Sequence, residues 1–265
     1  MKILVVGDPH GSLEKIKKIP KQNIDLILLT GDLGKADLVR KMAFENIERK
    51  KRGLPEKEFS PQQKKRGFME AYSSSLKVVR YLSRYSPVYT IFGNVESSNF
   101  ETRKNSKEIG LPLPFLTNSL NSIKGVKVIN NRFVKVYNIK IGGLEYFIDT
   151  CWVREFKPSD YKKRLSNSKK DSKKAKSVLN SFRKLDILVC HQPPYGYLDT
   201  VSNPNAPKHW KGKHAGSKVI LDYIKKQKPK YVFCGHIHEG EGKTRIGNTL
   251  VYNLGVGGYK IIEID

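Results

Sequence analysis

The chain has 265 residues, of which 38% are hydrophobic and 10% aromatic, and its 50 Lys and Arg against 25 Asp and Glu give a formal charge of +25. This length fits one large domain, or one domain with a substantial insertion, and the composition is sufficient for a buried core. No run approaches the ~18 consecutive apolar residues of a membrane-spanning helix, so no membrane span is expected.

The cysteines and the N-terminus indicate the cellular setting. Cys151, Cys190 and Cys234 show no CxxC spacing, and two of them close apolar runs, so buried free thiols are predicted rather than a zinc knot. We therefore expect a reducing, cytoplasmic environment. The N-terminal MKILVVGD lacks the long apolar region and cleavage site of a signal peptide, and it is predicted to be a buried strand.

The first third of the chain predicts a β-α-β unit followed by two helices. Apolar runs at 2–7 and 25–31 are typical of strands buried on both faces, and the segment between them predicts a short helix capped by Ser12. Residues 35–84 have apolar side chains at helical spacing on either side of a basic, Gly- and Pro-containing loop. A strand at 88–92 follows.

The rest of the chain predicts a second group of strands. Short β-branched pieces between 126 and 149 predict an antiparallel meander, and residues 158–184 are polar and mostly helical. Four strand-like runs follow, DILVCH, KYVFCGH, TLVYNLG and YKIIEI, and the helix GSKVILDYIKKQ lies between the first two. We expect a single domain over 1–265, with 35–84 as a helical hairpin insertion and 154–184 as a basic, partly mobile segment.

The positive charge is unevenly distributed. Residues 162–184 contain ten Lys or Arg and one acid, and further basic clusters lie within 49–66. Such a field attracts polyanions, which makes nucleic acid a candidate partner through these two segments. Solvated helical faces of a lysine-rich protein explain the same charge. The basic runs also lack the interleaved aromatic residues expected for single-strand binding.

Five apolar runs each end in polar residues suited to bind a metal. Taken singly, Asp8 or Asp32 could cap a helix, His191 could be a core histidine, and Asn94 could be a turn residue. Five such strand ends together are hard to explain by turn chemistry, and ligand sites gather at the carboxyl ends of strands in open sheets. The segments are GDPHG at 7–11, GDLG at 31–34, GNVE at 93–96, CHQPPYG at 190–196 and CGHIHEG at 234–240.

The donor types restrict the metal. Two carboxylates, one amide and four imidazoles, without a thiolate, suit Mn²⁺, Fe or Zn²⁺. Seven donors are too many for one tetrahedral ion and suit two ions ~3.5–4 Å apart. The donors are Asp8, His10, Asp32, Asn94, His191, His236 and His238.

These motifs, in this order and spacing, resemble the calcineurin-like metallophosphoesterase superfamily over almost the whole chain. The resemblance implies an α/β fold, a four-layer α/β/β/α sandwich, with 35–84 as an elaboration near the site. It implies two divalent ions, with Mn²⁺ favoured and Fe, Ni²⁺ or Zn²⁺ as alternatives. By the same resemblance Asp8, His10 and His238 hold the first ion, Asn94, His191 and His236 hold the second, and Asp32 bridges them.

The chain differs from the family pattern at one position of the GNVE segment. Most relatives have GNH followed by an acid, and that histidine protonates the leaving oxygen or holds the phosphate, whereas this chain has Val95. The metals are still expected to bind through Asn94. His214 or His209 are candidates to supply the proton, and the backbone amides after His214, at the start of a helix, are a candidate anion site.

We therefore expect a dinuclear metal-dependent phosphodiesterase in which a bridging hydroxide attacks phosphorus in line. Asp32, Asn94 and His214 are the expected catalytic residues, and Asn94 and His214 also bind the phosphate-ester substrate. A nuclease and a non-catalytic phosphoesterase-like scaffold are the alternatives. Segments 35–84, 97–124 and 154–184 are expected to set specificity, and Glu96 is expected to cap the next helix or to hydrogen-bond a ligand residue.

Overall fold

The computed structural model describes residues 1–204 and 206–264. Its strands are β1 Lys2–Val6, β2 Leu26–Leu29, β3 Val88–Thr90, β4 Val126–Val128, β5 Arg132–Val136, β6 Ile139–Leu144, β7 Ile187–Cys190, β8 Tyr231–Cys234, β9 Gly242–Ile246, β10 Thr249–Asn253 and β11 Tyr259–Glu263. Its α-helices are α1 Leu13–Lys17, α2 Asp37–Lys51, α3 Pro61–Leu82, α4 Asn99–Ile109, α5 Leu116–Asn121, α6 Thr150–Phe156, α7 Tyr161–Phe182 and α8 Lys218–Gln227.

The strands form two mixed sheets. The first has the order β11-β1-β2-β3-β4, with β1 to β4 parallel and β11 antiparallel to β1. The second has the order β5-β6-β7-β8-β10-β9, parallel in its four central strands and antiparallel at both edges. Parallel strands dominate both sheets, so their carboxyl ends collect at shared edges.

Strand β1 shows why the predicted strands are continuous apolar runs. Ile3 and Val5 pack into the core between the two sheets, whereas Leu4 and Val6 pack in the core that includes α1, α3 and α5. Helices α7 and α8 cover the outer face of the second sheet in a third core. Alternate side chains of one strand thus serve two cores, and the predicted four-layer α/β/β/α sandwich is confirmed.

Helices α2 and α3 cover most of the segment predicted as a helical hairpin. Ser60 and Gln63 form a capping box at the start of α3, and Pro61 occupies its first turn. The second half of α3 is buried against the first sheet through residues such as Leu76 and Val79. No residue of α2 is fully buried, so the hairpin is anchored to the sandwich through α3.

The antiparallel meander predicted for 126–149 is wrong in its first strand and at its end. Strand β4 pairs in parallel with β3 in the first sheet, and only β5 and β6 form an antiparallel hairpin. Helices α4 and α5, within the 97–124 connection, form the crossover that a parallel strand requires. After β6 the chain leaves the sheet at Glu145, which brings Tyr146 toward the site described below.

Ser12 occupies the N-cap position of α1, as predicted, although its side chain makes no capping hydrogen bond. The three cysteines are free and buried, as predicted. Within the part of the chain that the structure describes, every helix is too short or too polar to cross a bilayer.

Candidate metal centre

The seven predicted donors lie in loops that directly follow parallel strands. Because the two sheets pack face to face, the carboxyl ends of these strands meet at one edge of the sandwich. Asp8 and His10 follow β1, Asp32 follows β2, Asn94 follows β3, His191 follows β7, and His236 and His238 follow β8.

The first group of donors contains Asp8, His10 and His238, whose ligand atoms all lie within 4.8 Å of one another. The Nε2 atoms of His10 and His238 are 3.1 Å apart. His238 Nε2 is 3.4 Å from Asp8 Oδ2. The structure thus brings together the three residues expected to hold the first ion.

The second group contains Asp8, Asp32 and His191, again within 4.8 Å. The two oxygens of Asp32 face different donors: Oδ1 is 3.5 Å from His191 Nε2, and Oδ2 is 3.7 Å from His10 Nε2. Asp32 therefore lies between the two groups, at the position expected of a bridging carboxylate.

The side chain of Asn94 joins this second group. Its Oδ1 atom is 3.0 Å from His191 Nε2 and 2.8 Å from His236 Nδ1. The amide oxygen is thus aimed at two imidazoles, which a simple turn residue does not require.

The donor spacing fits bound metal ions. Ligands about 2.0–2.2 Å from one ion in tetrahedral or octahedral geometry lie about 3.0–3.5 Å from one another. The measured separations among the seven donors, from Asn94 Oδ1–His236 Nδ1 at 2.8 Å to Asp32 Oδ2–His10 Nε2 at 3.7 Å, bracket that range. Acceptor atoms gathered this closely repel one another unless a cation or a shared proton lies between them.

Three of the donors have unusual backbone conformations. His10, Asp32 and His236 have φ of 43°, 44° and 65°, in the left-handed region that residues with a Cβ rarely adopt. Such conformations cost about 1–3 kcal/mol each and cluster at functional sites.

Two glycines allow the loops to approach the carboxylates. A Cβ on Gly93 would lie 2.2 Å from Asp32 Oδ1, and a Cβ on Gly235 would lie 2.1 Å from Asp8 Oδ1. Because neither space admits a methyl group, any other residue would displace a carboxylate. The glycines in GNVE and CGHIH are therefore part of the metal centre.

Asp8 is held in its ionised form by its neighbours. Its burial alone would raise its pKa, but His191, His238 and the backbone N–H of His236, 2.6 Å from Oδ2, together lower the pKa. Thr30 Oγ1 also donates to Asp8 Oδ1 at 2.9 Å. A charged carboxylate is the form that binds a cation.

The imidazoles of His236 and His191 differ in the direction of their pKa shifts. Burial and nearby His191 lower the pKa of His236 to about 3, so this ring is neutral and able to bind a metal. His191 Nδ1 is 2.9 Å from Thr30 O, to which it donates, and its Nε2 therefore points toward Asn94. Burial opposes protonation of His191, but the charges of Asp32 and neighbouring Asp8 outweigh it and raise its pKa.

Glu96 has a role that the sequence did not predict. It is buried, and it accepts hydrogen bonds from the backbone N–H groups of Leu33 (2.8 Å), Gly34 (3.2 Å) and Gly93 (3.0 Å). It neither caps α4, which Ser98 does, nor contacts a ligand side chain. Instead it ties the loop of Asp32 to the loop of Asn94. Burial and the charge of Asp32 raise the pKa of Glu96 to about 7.

Replacing Glu96 by Ala is expected to destabilise the metal-free protein. Three buried N–H groups would lose their acceptor, at a cost on the order of 3 kcal/mol in the free energy of unfolding. Urea denaturation measures this cost, with Glu58→Ala as the control because Glu58 is an exposed glutamate of the hairpin. A Glu96→Ala protein as stable as Glu58→Ala would contradict the assigned role.

His214 lies in a different environment. Its Nδ1 is 2.7 Å from Asp199 Oδ1, and its ring centroid is 5.2 Å from that of Tyr195. Among the described residues, none of the seven donors is in hydrogen-bonding or ring contact with His214. The structure does not bring His214 into the donor cluster, and its catalytic role stays a prediction.

The anion site predicted after His214 is wrong. Ser217 Oγ accepts from Ile220 N at the start of α8, and Asp149 Oδ2 accepts from Ser217 Oγ at 2.6 Å and from Val219 N at 3.1 Å. A carboxylate of the protein already occupies this helix N-terminus. A bound phosphate would be repelled by the same charge.

Two further aromatic positions are structural. Trp152 stacks on Phe156 with ring centroids 5.1 Å apart, and Trp210 meets Trp152 edge-on at 5.9 Å, in a small separate core. His209, the second candidate proton donor, lies beside Trp210.

Two cavities open on either side of Asn94. The hairpin cavity, of about 420 Å³, lies between α2, α3 and α4 and is lined by Arg40, Phe68, Tyr72, Val95 and Leu113, among others. The α7 cavity, of about 740 Å³, is lined by Lys104, Glu145, Tyr146, Asp171 and Lys174, among others. Asn94 and Glu96 line both, so the two cavities meet beside Asn94, one of the seven donors.

A sequence model described as calcineurin-like phosphoesterase matches residues 1–240. The chain therefore belongs to the calcineurin-like phosphoesterase family, as its motifs predicted. This family uses divalent metal ions, and the two groups of donors are candidate ligands for them.

Relatives and solved structures agree with this assignment. UPF0046 protein T07D4.2 of Caenorhabditis elegans is 37% identical over 70 residues, 26% of this chain and 16% of the relative. Metallophosphoesterase domain-containing protein 1 of Homo sapiens is 37% identical over 73 residues, 27% of this chain and 20% of the relative. The matches thus span a fifth or less of these relatives.

The fold is also found in a solved structure. The phosphopantetheinyl hydrolase of Mycobacterium tuberculosis superposes with a TM-score of 0.53 at 12% identity, covering 97% of this chain and 89% of that chain. At this identity the similarity concerns the fold alone.

Proposed function

We propose that the protein is a dinuclear metal-dependent phosphodiesterase. The observation that carries the proposal is the convergence of all seven donors at one edge of the sandwich, with Asp32 between the two groups. Mn²⁺ is the favoured ion, because the donors are oxygens and imidazoles without a thiolate, and Fe, Ni²⁺ or Zn²⁺ can bind the same set.

Each of the seven donors has a proposed role as a metal ligand. Asp8, His10 and His238 would hold one ion, Asn94, His191 and His236 the other, and Asp32 both. Two such ions lower the pKa of water so that hydroxide is available near neutral pH, and they neutralise phosphoryl charge. The protein's share is to hold the ligands rigidly through Glu96 and Thr30.

Two features bear on the class of ester, the first on its leaving group and the second on its number of substituents. Val95 cannot donate a proton, so the leaving group has to depart without general acid catalysis from this position, which favours activated esters. The cavities on either side of Asn94 offer separate space for the two substituents of a diester. A monoester has only one substituent and would leave one cavity empty.

A substrate screen with added Mn²⁺, Ni²⁺ or Zn²⁺ tests the proposal. We expect cleavage of bis-p-nitrophenyl phosphate with Mn²⁺, weaker cleavage of p-nitrophenyl phosphate, and loss of both after treatment with a chelator. Release of p-nitrophenolate, followed spectrophotometrically, is the measurement. A metal-loaded protein that cleaves no activated diester would refute the proposal.

A nuclease is the second candidate. Helix α7, which carries eight of the ten basic residues of 162–184, borders the α7 cavity through Asp171, Lys174 and Ala175. A polynucleotide lying along α7 would reach the donor cluster through this cavity. Including single-stranded and double-stranded DNA and RNA in the same screen separates the two, because a nuclease cleaves these polymers better than small diesters.

A further inference from the structure

The hairpin cavity contains a positive charge beside the position where the usual histidine is missing. Val95 lines the cavity next to Asn94, and Arg40 of α2 lines the same cavity. Phe68, Tyr72 and Leu113 form an apolar part of the wall, and Asn105 and Glu108 are among its polar residues. The cavity thus combines aromatic and aliphatic surface with a guanidinium group beside Asn94.

Arg40 is exposed, and its guanidinium group has no partner among residues 1–204 and 206–264. Two other arginines are engaged, since Arg49 Nε donates to Pro55 O and Arg164 Nε donates to Asp160 Oδ1, whereas Arg40 is one of several exposed arginines without such a bond. The five donors of Arg40 are therefore available to a ligand in the cavity.

Arg40 lies close to the donor loops in the chain and in space. Helix α2 begins at Asp37, five residues after the donor Asp32, and Arg40 lies in its first turn. Its side chain lines the same cavity as Asn94 and Val95, so a ligand in this cavity beside Asn94 can meet the guanidinium group.

We propose that Arg40 is a substrate-contacting residue, and that it binds the leaving-group oxygen of a phosphodiester whose aromatic leaving group occupies the hairpin cavity. The inference rests on the proposed phosphodiesterase function and names its substrate class. Phe68 and Tyr72, whose rings are 6.4 Å apart and inclined by 19°, give the cavity an aromatic wall.

The chemistry of Arg40 selects the leaving group. Hydroxide forms the new bond to phosphorus, the bond to the leaving oxygen breaks, and that oxygen departs with the electron pair. Arg40 stays protonated at any physiological pH, so it stabilises the departing anion by charge-assisted hydrogen bonds without giving it a proton. Water protonates the leaving group afterwards, and aromatic alcohols tolerate this order best because their anions are stable.

Lys64 is the competing cation. It lies on α3 and also lines the hairpin cavity. Lys64 lies in the first turn of α3, two turns before Ala71, whose carbonyl oxygen packs against Gly34 in the loop of Asp32. Arg40 lies in the first turn of the helix that follows this loop, so its placement favours it as the cation nearer the donor cluster.

The first test measures binding and does not depend on turnover. Mn²⁺-loaded protein is titrated calorimetrically with phenylphosphonate and with methylphosphonate, for the wild type, Arg40→Ala, Arg40→Lys, Lys64→Ala and Lys41→Ala. These phosphonates contain no bridging oxygen, so the titration reports whether Arg40 contacts the bound anion, and the second measurement below reports on the leaving oxygen. Lys41 is the matched control because it follows Arg40 in the helix but lines a different cavity, on the side of Phe59. Metal content and thermal unfolding are measured for each variant.

We expect Arg40→Ala to weaken phenylphosphonate binding roughly 10- to 100-fold, with metal content unchanged. Arg40→Lys should lose less, and Lys41→Ala nothing. The wild type should bind phenylphosphonate more tightly than methylphosphonate. Unchanged binding in Arg40→Ala, an equal loss in Lys64→Ala, or no preference for the phenyl group would overturn the proposal.

A second measurement uses aryl diesters with phenols of decreasing acidity. A residue that stabilises the leaving oxygen matters most for the least acidic phenol, so the loss of kcat in Arg40→Ala should grow along the series. An equal loss for every phenol would refute contact with the leaving oxygen. If the wild type cleaves no diester, the proposed function fails while the titration still decides whether Arg40 contacts the ligand.

Discussion

Replacing Asp32 by Asn is expected to lower kcat for an aryl diester by about 10³-fold or more. Asp32 is buried between the two groups of donors, with one oxygen toward His191 and the other toward His10. The substitution removes the shared negative charge, and metal centres contribute several kcal/mol of charge stabilisation that depends on such ligands. The bound metal per chain, measured by elemental analysis, should fall in parallel.

Asn at position 32 keeps an oxygen that can accept from Val95 N, which lies 2.9 Å from Asp32 Oδ1 in the native protein. Folding should therefore be preserved, and circular dichroism checks this. Asp222→Ala, on the exposed surface of α8, is the control and should retain full activity. Full activity in Asp32→Asn would contradict the metal centre, and loss of a partner's binding without any hydrolysis in the wild type would support the scaffold alternative.

Replacing Val95 by His is expected to increase activity toward esters with poor leaving groups. General acid catalysis contributes about 10²–10⁴ in rate, and a histidine at this position would restore it. We expect kcat/KM for alkyl aryl diesters cleaved at the alkyl oxygen to rise by about 10²-fold, with little change for p-nitrophenyl esters. The ratio of the two rates, measured in one preparation, is the readout.

The control for this gain is Val95→Gln, which adds a polar side chain without a titratable group. The backbone N–H of residue 95 still reaches Asp32 in both variants, so the metal centre should be unchanged. An equal gain in Val95→Gln and Val95→His would show that polarity, and not proton transfer, causes the effect. A pH–rate profile with a new acidic limb only in Val95→His would support proton transfer.

The positions of the seven donors could be predicted because each follows a strand that is recognisable from its apolar residues. Parallel strands deliver their carboxyl ends to one edge, so local patterns were sufficient to bring Asp8 and His238 to the same edge although 230 positions separate them. Their grouping around one ion came from the family resemblance. The same reasoning gave the two-sided burial of β1, because Ile3 to Val6 form an unbroken apolar run.

Features that depend on non-local contacts could not be predicted in this way. Glu96 follows Asn94 in sequence, but its acceptor role depends on Leu33 and Gly34, which another strand positions. The N-terminus of α8 is occupied by Asp149, a residue far away in the chain. Strand β4 has the alternation of an edge hairpin, and only the packing of α5 shows that it belongs to the parallel sheet.

Helix α2 carries Arg40 but no fully buried residue, whereas the metal donors are set in loops between two buried sheets. Changes on the outer helix therefore carry a small penalty in folding free energy, while changes in the loops disturb the whole centre. With Arg40 in the proposed role, substitutions in α2 are expected to change which ester binds while the donor cluster stays intact. New substrate preferences could then arise through α2 with the donor loops unaltered.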